Sequence, residues 1–226
     1  MAPIIAARLA GAGNVRRTQT VRREEMRHRL LEAAVALLGA KGYAGFRTAD
    51  LAHEAGVSQG ALTHHFRSKD ALVLAALEHA FRKAAEHGTK QAHRGKTVDD
   101  VLRMLLEDSR GFFFSDLFLI AMELAIFART DSPSGAEIRA ISRANRIPVE
   151  VAWLEALIAS GVPRANAEDL LWLTISIVRG LAVRRLWQDK PARFKRLMLL
   201  WRRMVADHLK VTLPGSGRWR RGTADA

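Results

Sequence analysis

The 226-residue chain has no cysteine, which excludes a disulfide framework, a thiolate zinc site and a cysteine nucleophile. No apolar run reaches the ~18 residues of a membrane-spanning helix. No stretch alternates Val or Ile with polar residues as a half-buried strand would, so an all-α fold is expected. A glycine-rich phosphate loop, an HExxH pair and a nucleophile motif are also missing, and enzymatic activity is not expected. The opening residues do not read as a secretory leader, because the apolar run Ile4–Ala7 is short and the charges follow it. These absences together favour a cytoplasmic protein.

Positive charge is abundant. Lys and Arg number 36 against 23 Asp and Glu, a net charge of +13, with a pI near 11.2. Such an excess favours a polyanion: nucleic acid first, an anionic membrane surface second. The excess is uneven. Residues 1–80 hold eleven basic and seven acidic side chains, whereas from Lys190 onward there are ten and two. Charge alone therefore does not locate a nucleic-acid site.

The most informative stretch runs from Thr48 to Lys69, TADLAHEAGVSQGALTHHFRSK. It reads as two short helices joined by a tight turn. Thr48 is placed as the cap of the first, with Leu51, Ala52 and Ala55 as its apolar stripe. Gly56 sits where a left-handed residue ends a helix. Val57 reads as a buried plug and Ser58 as the cap of the second helix. Leu62 and Phe66, four apart, turn one face inward. Gln59, Gly60, Thr63 and His64 then face out. That surface carries hydrogen-bonding groups and no carboxylate, as a helix reading the major groove requires.

The run AGVSQGALTHHFRSKDAL resembles the helix-turn-helix of the tetracycline-repressor (TetR) family, and the likeness extends over roughly Val21–Leu77. The resemblance implies that Gln59, Gly60, Ala61, Thr63 and His64 face the major groove, beside the capping Ser58. Thr48, His65 and Lys69 would anchor phosphates, Lys69 doing so at a helix N-terminus that already favours an anion. The family usually has Tyr where this chain has Thr63, so a phenol contact to DNA is missing.

Taken in order, residues 1–20 are expected to be a disordered basic arm, and 21–80 the DNA-binding domain with a first helix over Val21–Ala40. Ser68 caps a fourth helix running toward Glu86. The polar stretch His87–Lys96 breaks the periodicity and reads as a loop. His79, His87 and His93 lack the spacing of a metal site, and no metal or cofactor is expected. Residues 81–213 form the second domain. Thr97–Asp100 and Ser134–Glu137 read as capping boxes, Ser115 as a further cap, and Pro148 as a kink or break. Residues 214–226 are expected to be a disordered basic tail.

The two late helices, 166–189 and 191–211, are apolar on more than one face and need a second partner. The resemblance implies that such helices pack into a homodimer, which suits two half-sites. It also implies a small-molecule effector in the second domain. Phe112, Phe113, Phe118, Met122, Trp153 and Trp172 are the apolar candidates to line its site, with Arg179 as a polar one. The expected function is a DNA-binding transcriptional regulator, a repressor of a palindromic operator released by a small, largely apolar ligand. The alternative is a constitutive DNA-binding or membrane-surface protein.

Overall fold

The structure, a computed structural model, describes residues 3–127 and 133–209. Among these there are nine α-helices and no strand. They are α1 (Pro3–Gly45), α2 (Thr48–Glu54), α3 (Gln59–His65), α4 (Lys69–Ala92), α5 (Val98–Phe113), α6 (Asp116–Phe127), α7 (Pro133–Ala159), α8 (Arg164–Arg184) and α9 (Pro191–Leu209). They gather into two compact units. One comprises the chain up to Ala80 with residues 124–138; the other comprises Phe81–Glu123 and the chain from Arg139 onward. No helix among the described residues is long and apolar enough to cross a membrane.

In the first unit α1 buries Leu30, Leu31, Ala34, Leu37 and Leu38, the stripe its helical periodicity predicts. The helix starts much earlier than expected, however. Residues 3–20, expected as a disordered arm, continue α1. Alanine, leucine and arginine are strong helix formers, and here they outweigh two glycines. Gly42, at φ 65°, interrupts the helical backbone before α1 ends. Phe46 then inserts fully into the core. α4 contributes Leu72, Val73, Ala76 and Leu77 to the same core, capped by Ser68, whose Oγ accepts from the Ala71 N–H at 3.1 Å.

The second unit has α5 lying along α8, with α9 against both. Thr97 and Ser115 cap as expected: each side-chain oxygen accepts the N–H three residues on, at 3.2 Å. Two ties hold α9 to its neighbours. Arg202 forks onto Asp99, with Nε donating at 2.6 Å, and the Trp201 indole N–H donates to Thr174 at 2.9 Å.

One expectation for this unit fails and a second is narrowed. His87–Ala92 is not loop but the end of α4. It stays helical because Gly88 lets the helix approach closely: a Cβ there would lie 2.7 Å from an Asp108 carboxylate oxygen and 2.9 Å from Val149 Cγ1. Pro148 does not break α7, which runs through it. Residues buried on both sides of it, Ile141 before and Val149, Trp153 and Leu157 after, anchor the helix. The side chain of Ser134, expected in a capping box with Glu137, lies outside the described residues. The expected tail, 214–226, lies outside the described residues.

Candidate nucleic-acid interface and ligand site

The reading head is built by local chemistry. α2 ends at Ala55, and Gly56 takes φ 66°, which only glycine adopts without strain. The chain reverses there, and the Val57 N–H returns to the Ala52 carbonyl at 2.9 Å. Val57 is half-buried, less of a plug than its position suggests. Ser58 opens α3, its Oγ accepting the Ala61 N–H at 3.1 Å. Leu62 and Phe66 are buried beneath.

With those two residues fixed inward, Gln59, Gly60, Ala61, Thr63 and His64 are all exposed. Thr48 is not the cap of α2 but its first helical residue; Arg47 holds the cap position without a side-chain bond. The Thr48 hydroxyl instead accepts from Gln59 Nε2 at 3.2 Å, tying α2 to the reading helix. Thr63 Oγ1 donates to the Gln59 carbonyl at 2.9 Å, so its hydroxyl hydrogen is already engaged. Lys69 is half-buried: its ammonium donates to the Tyr43 carbonyl at 2.9 Å and lies 4.5 Å from the Tyr43 ring centre. Partial burial of His65 pushes its imidazole below the usual value, and the charges of Arg23, His64 and Arg27 act in the same direction. Arg27, which the sequence pattern did not single out, stands 4.8 Å from the Phe66 ring centre.

His79 meets a different pair of residues from those its sequence neighbours suggested. It lies in the first unit against Glu32 at 2.9 Å, with His28 one helical turn before Glu32 on α1.

In the second unit the structure brings together Phe112, Phe113 and Phe118, whose ring centres are 5.0–5.8 Å apart. Trp153 is fully buried, and its indole N–H donates to Asp108 at 3.1 Å. Met122 is half-buried on α6. Arg179 is exposed, and its guanidinium reaches 5.6 Å from the Phe113 ring centre. Trp172 does not join this interior: it is 72% exposed on α8.

The residue that sequence reasoning missed is Arg146. It is 9% exposed, 4.2 Å from the Phe112 ring centre and 5.5 Å from that of Phe113. Its Nε and Nη1 have no hydrogen-bond partner, and neither has the buried Ser109 Oγ. Ser109 lies one turn before Phe112 and Phe113 on α5, so all three unmet polar atoms border the same rings. Burial opposes the Arg146 charge, while Asp108 and Glu150 support it. Burial in turn raises the Asp108 carboxyl above the usual carboxylate value, against the pull of Arg146 and Trp153. The only sequence signal was an arginine at a core-facing position of α7.

A separate groove of about 760 Å³ lies between α5 and α9, floored by Phe114, Phe194 and Met198. Three of its five cations are engaged: Arg103 pairs with Glu107, Arg185 with the Phe114 carbonyl and Asp116, and Arg202 with Asp99. Buried unmet donors at Arg146 are a stronger sign of a ligand than an open groove.

Known proteins agree with this geometry. The profile of the family described as "Bacterial regulatory proteins, tetR family" matches residues 30–76, which span α2, α3 and their flanks. The HTH-type transcriptional regulator CymR of Pseudomonas putida is 42% identical over 182 residues, 80% of this chain and 90% of that one. An uncharacterised HTH-type regulator of Mycobacterium bovis is 34% identical over 115 residues, 51% of this chain and 59% of its own. Among solved structures, a transcriptional regulator of Saccharomonospora viridis, in complex with choline, superposes with a TM-score of 0.63 at 20% identity. That match covers 83% of this chain and 96% of the other. A regulator of Agrobacterium tumefaciens gives 0.58 at 23% identity over 80% and 98%.

Proposed function

Because this chain belongs to the TetR family of DNA-binding transcriptional regulators, and is not an enzyme, we propose that it is a cytoplasmic repressor. It binds a palindromic operator as a homodimer and leaves it when a small, largely apolar ligand enters the second domain. The observation that carries this reading is the exposed polar face of α3, held outward by Leu62 and Phe66. Gln59 presents an amide suited to adenine N6 and N7, Gly60 lets the backbone approach, and Ala61 and His64 complete the face. With the Thr63 hydroxyl engaged by its own helix, the methyl is what remains for a thymine. Thr48, Ser58, His65 and Lys69 border the reading face and supply contacts to phosphates.

The homodimer is supported by α8 and α9. Trp172, Leu173, Leu199, Leu200 and Met204, all large and apolar, are exposed on these two helices, as residues of a protein partner surface are. Trp172 thus belongs to this face and not to the ligand site.

The ligand site is the cluster of Phe112, Phe113 and Phe118 with Trp153, Arg146 and Arg179. Unmet donors on Arg146 and Ser109 favour a ligand that carries an anionic or carbonyl acceptor on an apolar body. A cationic ligand such as choline, present in the Saccharomonospora regulator, would meet two guanidinium groups of its own sign.

Selection of bound fragments from random duplex DNA, repeated with a panel of small aromatic acids, amides and amines, tests the whole reading. An inverted-repeat site that is lost on adding an acceptor-bearing ligand is expected, and Arg146→Gln should abolish that release while keeping the site. A site that no compound affects would leave a constitutive DNA binder.

A further inference from the structure

The reading head contains a second constellation, unrelated to DNA contact. His28 and Glu32 stand four residues apart on α1, which places them on one face. His79 reaches the same point from α4. Its Nε2 is 2.9 Å from Glu32 Oε1, and His28 Nε2 is 3.9 Å from that same oxygen. One donor atom from each of the three residues lies within 4.8 Å of the others. The two imidazoles meet edge to face, with ring centres 5.1 Å apart.

A histidine–glutamate ion pair would account for His79 and Glu32 alone. It does not account for His28, whose nitrogen stands beyond hydrogen-bond reach of the shared carboxylate yet within the spacing of a coordination sphere. Zinc holds imidazole nitrogen at ~2.0–2.1 Å, so tetrahedral ligands lie roughly 3.3 Å from one another. The observed 2.9 and 3.9 Å straddle that value, and a small side-chain adjustment suffices to close on an ion. The donor set is two neutral imidazoles and one carboxylate, with no thiolate anywhere in the chain. This suits the borderline divalent ions, zinc, cobalt and nickel, over soft Cu(I) or hard Mg²⁺. The side chain of His79 is 7% exposed, that of Glu32 39% and that of His28 62%, so the site is anchored at its inner ligand and open at its outer one. An open outer position leaves room for water as a fourth ligand.

We propose that His28, Glu32 and His79 form a site for one divalent transition-metal ion of the zinc class, which clips α1 to α4 and stabilises the reading head. The ion binds only the folded chain, because the third ligand is distant in sequence, so occupancy raises head stability by mass action.

Cobalt is the probe, since its visible d–d bands report a low-coordinate site. The full chain, carrying no histidine tag and stripped of metal, is titrated with Co²⁺ and then with Zn²⁺ in competition. The expected result is saturation at one ion per chain at micromolar metal, with d–d bands that zinc abolishes. Zinc in excess should also raise the melting temperature by several degrees. His28→Ala should remove the bands and the thermal shift while folding normally, because His28 is an exposed residue. His64→Ala, on the reading face, should keep both. Absence of bands at micromolar cobalt, or binding that survives in His28→Ala, would overturn the proposal. Binding lost equally in His64→Ala would do the same, since it would place the ion elsewhere.

Discussion

At the scale of single residues, the reading helix shows how one hydrogen bond changes what a side chain offers. Gln59 is positioned by Thr48, and a positioned amide discriminates better than a free one. Gln59→Ala is therefore expected to cost ~1–3 kcal/mol on the best operator and to relax one base position in each half-site. Thr48→Val keeps the shape and removes the acceptor, so it should broaden that same position and leave the others sharp. Binding selections with each variant read both outcomes. His65 supplies a pH signature. Its pKa in the free protein is lowered, chiefly by burial, and the phosphate proposed to lie against it would favour the charged form in the complex. The complex then binds more protons than the free protein, and operator affinity should rise as pH falls from about 7.5 through the ordinary imidazole value of ~6.5. Stability of the free head moves the other way. A lowered folded-state pKa means the His65 contribution is present above the unfolded value and is lost on acidification. In His65→Ala the pH dependence of affinity should flatten, which fluorescence titration across that range measures.

At the scale of elements, legibility followed the range of the interactions. The turn at Gly56 and the caps at Ser58, Ser68, Thr97 and Ser115 depend on neighbours three or four residues away, and all were readable from the chain. The continuation of α4 through His87 was not, because it depends on what faces Gly88 across α5 and α7. That α7 is not broken at Pro148 has the same kind of cause: apolar anchors on both sides outweigh one missing backbone donor. Arg146 was hidden more deeply, since a cation becomes a candidate ligand contact only once its buried nitrogens are known to lack partners. Gly88 gives the sharpest test at this scale. Alanine favours a helix over glycine by ~1 kcal/mol. Here the added methyl would strike Asp108, itself held by Trp153, and Val149. Overpacking of this kind costs ~1–3 kcal/mol. Gly88→Ala should therefore lower the melting temperature by calorimetry, although an average helical glycine would gain from the change.

At the scale of the whole molecule, the family assignment and the exposed faces of α8 and α9 point to one assembly. Trp172 and Leu200 are 72% and 50% exposed, a costly arrangement for large apolar side chains in an isolated chain. The double variant Trp172→Asp, Leu200→Asp should sediment as a monomer where the unmodified chain sediments as a dimer, with its helix content intact by circular dichroism. A variant that still dimerises would move the interface off these helices. The apolar face has a further consequence, for dose. If the chain is the proposed homodimeric repressor, a half-site held by a lone head makes few contacts, so tight occupancy waits on pairing, and pairing depends on abundance. Below the dimer dissociation constant the paired species grows as the square of the chain's concentration, so halving the supply of protein leaves a quarter of the active form. Dilution alone would then lift repression, with no effector present, and a cell could reset the switch simply by dividing faster than it replenishes the chain.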